Sequence, residues 1–511
     1  MGGGAMSDVL DPVNVLDFVE AIKSIARQSA DKKGKPKAKL PADEFLKHGS
    51  DVEIADAFAA SSAMQNVVFD EGRFWRHDGR CWAPIPDDEI YRAIKKYDGK
   101  TYGGGQPVRL SDARIESIFR TVSKTLARLG FFTEATRGIN AANGLIVFGD
   151  DFEPRLIAHD PDHRKRHVLA GSWEHGSLFD PPEGSLLARY LAGLRAGDPE
   201  GHIKERTLRQ IAGVVVMGHG TRLIDPKSAV LLGRTAENGK TQYLNMITNL
   251  LPPAAVCTVP PDRLHDDNKM MLIVGALLNI SGELSGAIAS ERFKSVITGD
   301  KLDARKAYGR DVAQFYPEAQ HVFATNQLPP FRGGMDAGVR RRLLVVEFLR
   351  TIPPGERIYD IGRRIAREEP DLLLAWAIEG ARDLLKNGNR FAEPLSSARI
   401  LDEWTQTADP VMGWKADRVA PPLEAVNSEK PRISNADAFR DFQRWHEDVE
   451  GKKATIGQRT FTERLRSAGL PGVSYVAKHG FRGWEGLRLK KRGEDDSDFL
   501  NPAAARTGPR D

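Results

Sequence analysis

The residues with the clearest chemical potential lie in LLGRTAENGKTQ (231–242). An apolar run enters a glycine-containing loop, which closes on Gly239-Lys240-Thr241 and opens a helical stretch, QYLNMITNLL. Such a junction aims backbone N–H groups at phosphate oxygens from a helix N-terminus. Lys240 is then placed to reach the β- and γ-phosphates of a nucleotide, and the Thr241 hydroxyl to ligate Mg²⁺. Gly233, Asn238, Gly239 and Gln242 complete the predicted nucleotide-binding set. Five residues separate Gly233 from Gly239, one more than the usual spacing. The extra residue is expected to bulge at the loop's mouth and leave Asn-Gly-Lys-Thr intact.

Nucleotide hydrolysis also needs a carboxylate at the end of a neighbouring strand, to hold Mg²⁺ through water and orient the attacking water. ALLNISGEL (276–284) supplies Glu283 for both tasks. HVFATNQLPPF (321–331) ends an apolar run on Thr325-Asn326, whose amide suits a γ-phosphate or the lytic water. GMDAGVRRRLLVVEF (334–348) sets three arginines before another apolar run, where one of them suits a neighbour's γ-phosphate. Singly, each has an ordinary explanation: an exposed Glu after a strand, an Asn in a turn, a solvated basic edge. Their order within one segment is what joins them into a site.

The elements that must position these residues are legible from periodicity. SAVLLG (228–233), ALLNIS (276–281), HVFATN (321–326) and RLLVVEF (342–348) read as strands alternating with helices, which predicts an open α/β sheet with mainly parallel strands. Helices are expected at SLLARYLAGLRA, at HIKERTLRQIAGVVVMG, and through 356–390 to about Gly388. Upstream, 13–26 reads as a helix and 27–39 as a basic linker. FWRHDGRCW (74–82) predicts a hairpin turning at Asp78-Gly79, and 112–130 a helix closed by Gly130.

The series GRTAENGKT, NISGEL, FKSVITGDKLDARKAYGRD, FATNQLPPF and GVRRRLLVVEF resembles the superfamily 3 helicase core. It is most similar to the phage and plasmid primase-helicase family and its poxvirus-like relatives, over about residues 200–390. The resemblance implies a P-loop AAA-type ATPase assembled as a homo-hexamer that uses ATP and Mg²⁺ to translocate on DNA. It implies catalytic roles for Lys240, Glu283, the sensor Asn326 and the arginine finger Arg341, with Thr241 and Glu283 on the metal. It also implies a pore hairpin at 300–311, where Arg305, Lys306 and Arg310 grip backbone phosphates and Tyr308 stacks on a base of single-stranded DNA. Gly282 stands where many ATPases carry a second acid. The region before the core is too short to add a priming domain, so no primer synthesis is expected.

The last segment reads as helix, helix, hairpin, the order that ends a winged helix. Residues 451–492 hold eleven Lys or Arg against two Glu, a net of +9 inside a chain whose overall net is +4. Arg459, Arg464 and Arg466 are expected on or near a recognition helix, and Lys478 and Arg482 on the wing, all meeting duplex phosphates. The resulting organisation is an N-terminal helix and linker (1–49), an α+β accessory region (50–184), the ATPase core with a helical lid (185–415), a linker (416–434), a winged helix (435–492) and a disordered tail (493–511).

With 511 residues, 41% apolar and 28% charged, the chain is expected to be an ordinary multi-domain globular protein. Its two cysteines exclude a disulfide framework, and no apolar run is long enough to span a bilayer. The cytoplasm, and for a mobile element that of a bacterial host, is the expected compartment. The expected function is DNA unwinding during replication of a phage, plasmid or other mobile element, alongside a primase or other replication partner. Two rivals stand beside it: a DNA-binding initiator or scaffold with a decayed ATPase, and a motor that moves DNA for packaging or defence.

Overall fold

The computed structural model describes residues 46–490 apart from 178, 285–286, 306–311, 333–334, 421–429, 451–452, 455, 469, 471 and 479. The predicted N-terminal helix and basic linker, Lys306, Tyr308, Arg310 and the C-terminal tail lie outside the described residues.

The accessory region combines short helices with two antiparallel three-stranded sheets. In the first, Arg73–His77 and Trp82–Ile85 pair with His77 opposite Trp82. The turn between them is stabilised by the Asp78 carboxylate, which accepts from the N–H groups of Arg80 (2.8 Å) and Cys81 (2.9 Å). The helix expected over 112–130 stops at Thr125. Its continuation is taken by the sheet edge: Phe69 N–H donates to Leu126 O and Arg128 N–H to Phe69 O, both at 2.9 Å. Gly130 (φ 74°) instead opens a 3₁₀ turn.

The core is a mixed α/β unit around a five-stranded parallel sheet. Its strands are β1 (Ser228–Leu232), β2 (Val256–Cys257), β3 (Leu278–Ser281), β4 (Gln320–Thr325) and β5 (Leu343–Glu347), in the spatial order β2-β3-β4-β1-β5. Both faces of the sheet are covered, which explains why the strands read as unbroken apolar runs. Leu231, Val322, Ala324, Leu344 and Val346 pack on one side. Val230, Leu232, Phe323, Leu343 and Val345 pack on the other. The helices of this region include α1 (Leu186–Arg195), α2 (Gly201–Met217), α3 (Lys240–Leu250), α4 (Ser290–Thr298), α5 (Ala337–Arg340), α6 (Ile361–Glu368), α7 (Pro370–Lys386) and α8 (Leu395–Ala408).

Helices α2 and α7 meet backbone to backbone at two glycines. A Cβ on Gly380 would lie 1.9 Å from Arg209 O, and one on Gly213 would lie 2.2 Å from Ala381 N. Neither backbone atom can rotate away, so Gly380→Ala is expected to cost about 3 kcal/mol, at the upper end for an overpacked core. A chemical denaturation series on the variant reads this directly; an unchanged midpoint would show that the two helices slide apart freely.

The C-terminal unit contains α9 (Pro410–Arg418), β6 (Arg432–Ser434), α10 (Asn435–Glu450), α11 (Gln458–Ser467), β7 (Ser474–Lys478) and β8 (Phe481–Glu485). Its sheet runs β6-β8-β7, all antiparallel. Two of these pieces fall partly or wholly inside the stretch read as a linker. Val411 and Trp414 of α9 share a core with Phe442, Phe461 and Trp484, and Trp414 Nε1 donates to Asp441 Oδ1 at 2.8 Å. Beyond α9, Ala420 N–H donates to Arg488 O at 2.9 Å. Residues 421–429 lie outside the described set. Trp484, in the stretch read as a hairpin, is only 3% exposed and anchors this core.

Among the described residues no helix is long and apolar enough to cross a membrane. Cys81 and Cys257 are separate, buried thiols, each pushed up to about 12 by burial.

Candidate functional site

The sheet order brings the carboxyl ends of β1, β4 and β3 side by side, the edge where open α/β sheets bind ligands. Leaving β1, the chain is first tied to its neighbour: Gly233 N–H donates to Thr325 O, the last residue of β4, at 3.1 Å. At Gly233 a Cβ would sit 2.1 Å from Asn238 Nδ2 and 2.7 Å from Lys240 Nζ, so a side chain there would displace both polar groups. The loop then divides into two parts. Residues 234–237 are exposed, whereas Asn238 (9% exposed) and Lys240 (7%) are buried. Left-handed backbone at Glu237 (φ 57°) and Gly239 (φ 92°) turns the chain into α3, which begins at Lys240.

The longer loop is braced from outside. Ile352 N–H donates to Glu237 O at 3.0 Å, and Arg357 pairs with the Glu237 carboxylate. Thr351 Oγ1 donates to Thr235 Oγ1 at 3.0 Å, and the Tyr190 hydroxyl donates to Gly239 O at 3.3 Å. The exposed part of the loop is therefore held by the segment that follows β5. Nothing in the spacing of 231–242 points to Tyr190, Ile352 or Arg357. Their part depends on contacts across more than 40 positions of chain.

Lys240 and Asn326, 86 positions apart, meet directly. Lys240 Nζ donates to Asn326 Oδ1 at 2.7 Å and to Gly233 O at 2.8 Å. Burial holds the ammonium below its usual range. A polyanion arriving at the loop would reverse that by supplying the missing negative charge. Thr241 is exposed in the first turn of α3, beside the helix N-terminus. Gln242 is engaged elsewhere, its Oε1 accepting from Gly362 N–H at 3.0 Å.

Glu283 is exposed just past β3, and its carbonyl accepts from Ser281 Oγ at 2.8 Å. At Gly282 an added Cβ would meet nothing within 4 Å. Sterics would thus admit an acidic side chain there, and its absence is a matter of sequence alone.

The three arginines before β5 take different courses. Arg340 pairs with Asp402. Arg342 donates to Thr298 Oγ1 at 2.9 Å and Gly338 O at 2.8 Å. Arg341 is exposed, and its guanidinium has no hydrogen bond or ion pair among the described residues. Its carbonyl accepts from Lys227 Nζ at 2.9 Å, immediately before β1. Arg341 is therefore at the amino edge of the sheet and Lys240 at the carboxyl edge. A five-residue strand spans roughly 16 Å, so the two sit at opposite ends of β1 within one chain.

The DNA-contact candidates are scattered more than expected. Arg305 ends a strand, Leu302–Arg305, that pairs antiparallel with Val312–Phe315, and the connecting residues 306–311 are outside the described set. On α11, Arg459 is exposed and pairs with Glu463 at 2.9 Å, while the Arg466 guanidinium lies over the Tyr475 ring at 5.1 Å. Arg464 is turned inward, 17% exposed, and pairs with Asp409 at 3.3 Å. Lys478 and Arg482 are both exposed on the β7–β8 hairpin. Because Ala477 faces Arg482 and Lys478 faces Phe481 across the ladder, the two charges project from opposite faces.

Residues 231–342, from within β1 to the approach to β5, match a family described as a family of unknown function (DUF5906). No curated protein matches the chain. Two solved structures of the NrS-1 C-terminal region, both in the A-form apo state, align with TM-scores of 0.39 and 0.40. Each is 11% identical, and each alignment covers 83% of this chain and 96% of the other. That likeness is too distant to carry an argument about function.

Proposed function

We propose that the protein is an ATP-hydrolysing DNA helicase of the superfamily 3 type, acting as a homo-hexamer in replication of a phage, plasmid or other mobile element. One observation carries the reading: Lys240 Nζ touches Asn326 Oδ1 at 2.7 Å, across the adjacent carboxyl ends of β1 and β4. A phosphate-contacting lysine and a polar amide placed together in this way suit both ends of a γ-phosphate.

In this reading the backbone N–H groups at the start of α3 and the Lys240 ammonium bind the β- and γ-phosphates. Asn326 releases Lys240 to the nucleotide and orients the attacking water, and Glu283 accepts that water's proton. Thr241, in the first turn of α3, and Glu283, just past β3, are both exposed and would hold Mg²⁺, which neutralises charge on the phosphates. Arg341, at the far end of β1 from its own Lys240, serves the site of the neighbouring subunit.

The C-terminal order α9, β6, α10, α11, β7, β8 is read as a winged helix that contacts duplex DNA. Arg459, Arg466, Lys478 and Arg482 supply its exposed charge, while Arg464 supports the packing of α11 on α9. Such phosphate contacts give salt-sensitive affinity rather than base reading. Arg305, Lys306, Tyr308 and Arg310 are assigned to single-stranded DNA in the pore.

The open space at Gly282 and the longer loop favour one alternative, an initiator or scaffold with weak ATPase activity. The test is phosphate release with and without forked DNA, run beside strand separation on the same substrate. A helicase is expected to show DNA-stimulated release and unwinding together. DNA binding without release would favour the scaffold, and stimulated release without unwinding a DNA-moving motor.

A further inference from the structure

A second concave site lies between the accessory region and the amino edge of the core sheet, away from the nucleotide loop. It is a cavity of about 50 Å³, room for roughly three or four waters or one tetrahedral oxyanion. Arg137, Lys165, Arg166 and Arg222 line it, with Glu318 as its lining carboxylate. Arg164, also in the wall, is already neutralised by Glu134 at 2.5 Å.

The charges do not balance. Glu318 is shared between Arg166 (3.1 Å) and Arg222 (2.6 Å), and Arg166 also binds Glu71 at 2.6 Å. Lys165 Nζ is given only to backbone carbonyls, those of Gly138 (2.8 Å) and Thr136 (3.3 Å). Arg166 and Arg222 thus take up both carboxylates, and Lys165 has none of its own among the described residues. The carbonyl end of α2, which stops at Gly218 beside the cavity, subtracts about half a charge and leaves a positive excess.

Donor capacity is also unused. Arg166 Nε, on a side chain 7% exposed, has no hydrogen-bond partner among the described residues. His219 Nε2, on a residue 5% exposed, makes no hydrogen bond of good geometry, although the Asn389 side chain lies beside it. Burial, then the charges of Arg137, Arg222 and Lys165, hold His219 down to about 3. Burial pulls Lys165 down to about 8. Cations crowded together out of water are costly unless an anion joins them.

We propose that this cavity binds a small phosphate-type dianion, either free phosphate or the terminal phosphate of a mononucleotide, held by Arg137, Lys165, Arg222 and the Nε–H of Arg166. The site is at the opposite edge of the sheet from Lys240, and the proposal does not rest on the ATPase reading.

Calorimetric titration of the full chain with sodium phosphate, and separately with AMP, in chloride buffer tests it. Saturable binding is expected to survive Lys240→Ala, to weaken about tenfold or more in Arg137→Gln and in Arg222→Gln, and to tighten in Glu318→Gln. Preference for phosphate identifies a free-anion site, and preference for AMP a nucleotide-phosphate site; either supports the proposal. Arg137 also lines the cavity, so Arg137→Gln carries the test should circular dichroism show Arg222→Gln unfolded. No saturable binding of either ligand to the folded wild-type chain overturns the proposal. So does binding that disappears in Lys240→Ala and is unchanged in Arg137→Gln.

Discussion

Lys240→Ala is expected to lower ATP turnover by about 10²–10³-fold or more, the usual loss when one preorganised donor to the developing charge is removed. The same substitution leaves Gly233 O and Asn326 Oδ1 without their ammonium donor. Asn326 is exposed, so water replaces part of what is lost, and the cost in stability is about 1 kcal/mol. Catalysis and stability are thus affected on very different scales. A phosphate-release assay beside a thermal melt separates them. Unchanged turnover in a folded Lys240→Ala protein would remove the nucleotide site from the loop, whatever its resemblance to one.

The second large effect is expected at Arg341. Its alanine variant should lose about 10³–10⁵-fold in turnover and keep nucleotide affinity, because an arginine finger acts on the transition state. Arg340 and Arg342 are tied to Asp402 and Thr298, so they cannot substitute for it without breaking those contacts. The geometry makes a sharper demand as well. Within one chain, Arg341 and Lys240 sit at opposite ends of β1, so a finger at Arg341 would have to serve another copy's site. Mixing inactive Arg341→Ala and Lys240→Ala subunits is expected to restore some turnover, since one variant supplies what the other lacks at a shared interface. A mixture as inactive as its components would count against the trans arrangement.

Much of the core was legible before any coordinates. The four apolar runs read as strands are strands, because burial on both faces of a parallel sheet writes itself as continuous Val, Leu, Ile and Ala. The Gly233–Thr241 junction was equally plain, since a strand, a glycine-bearing loop and a helix start are local features. Helix ends were less secure. The helix from Asp112 looked as though it ran to Gly130, but Leu126 and Arg128 are claimed by Phe69, a partner no local pattern reveals. In the C-terminal unit, Trp414 falls at the end of the segment assigned to the ATPase core and Trp484 in the stretch read as a hairpin. They are packed together in one core instead.

By itself, then, the sequence determined the identity of the chemically able residues and the type of most elements around them, because periodicity and turn chemistry act over a few positions. Which of those residues meet was decided only in three dimensions. Strand order is a nonlocal choice, set by how crossovers carry the chain over its own sheet. Inserting β4 between β1 and β3 is what places Asn326 against Lys240. The same folding sends Arg464 inward to Asp409 and parts Lys478 from Arg482 across the hairpin. It also gathers Arg137, Lys165, Arg166 and Arg222 around one cavity, though they are spread over 86 positions of chain. Charge in a sequence has a sign and a position; only packing gives it neighbours.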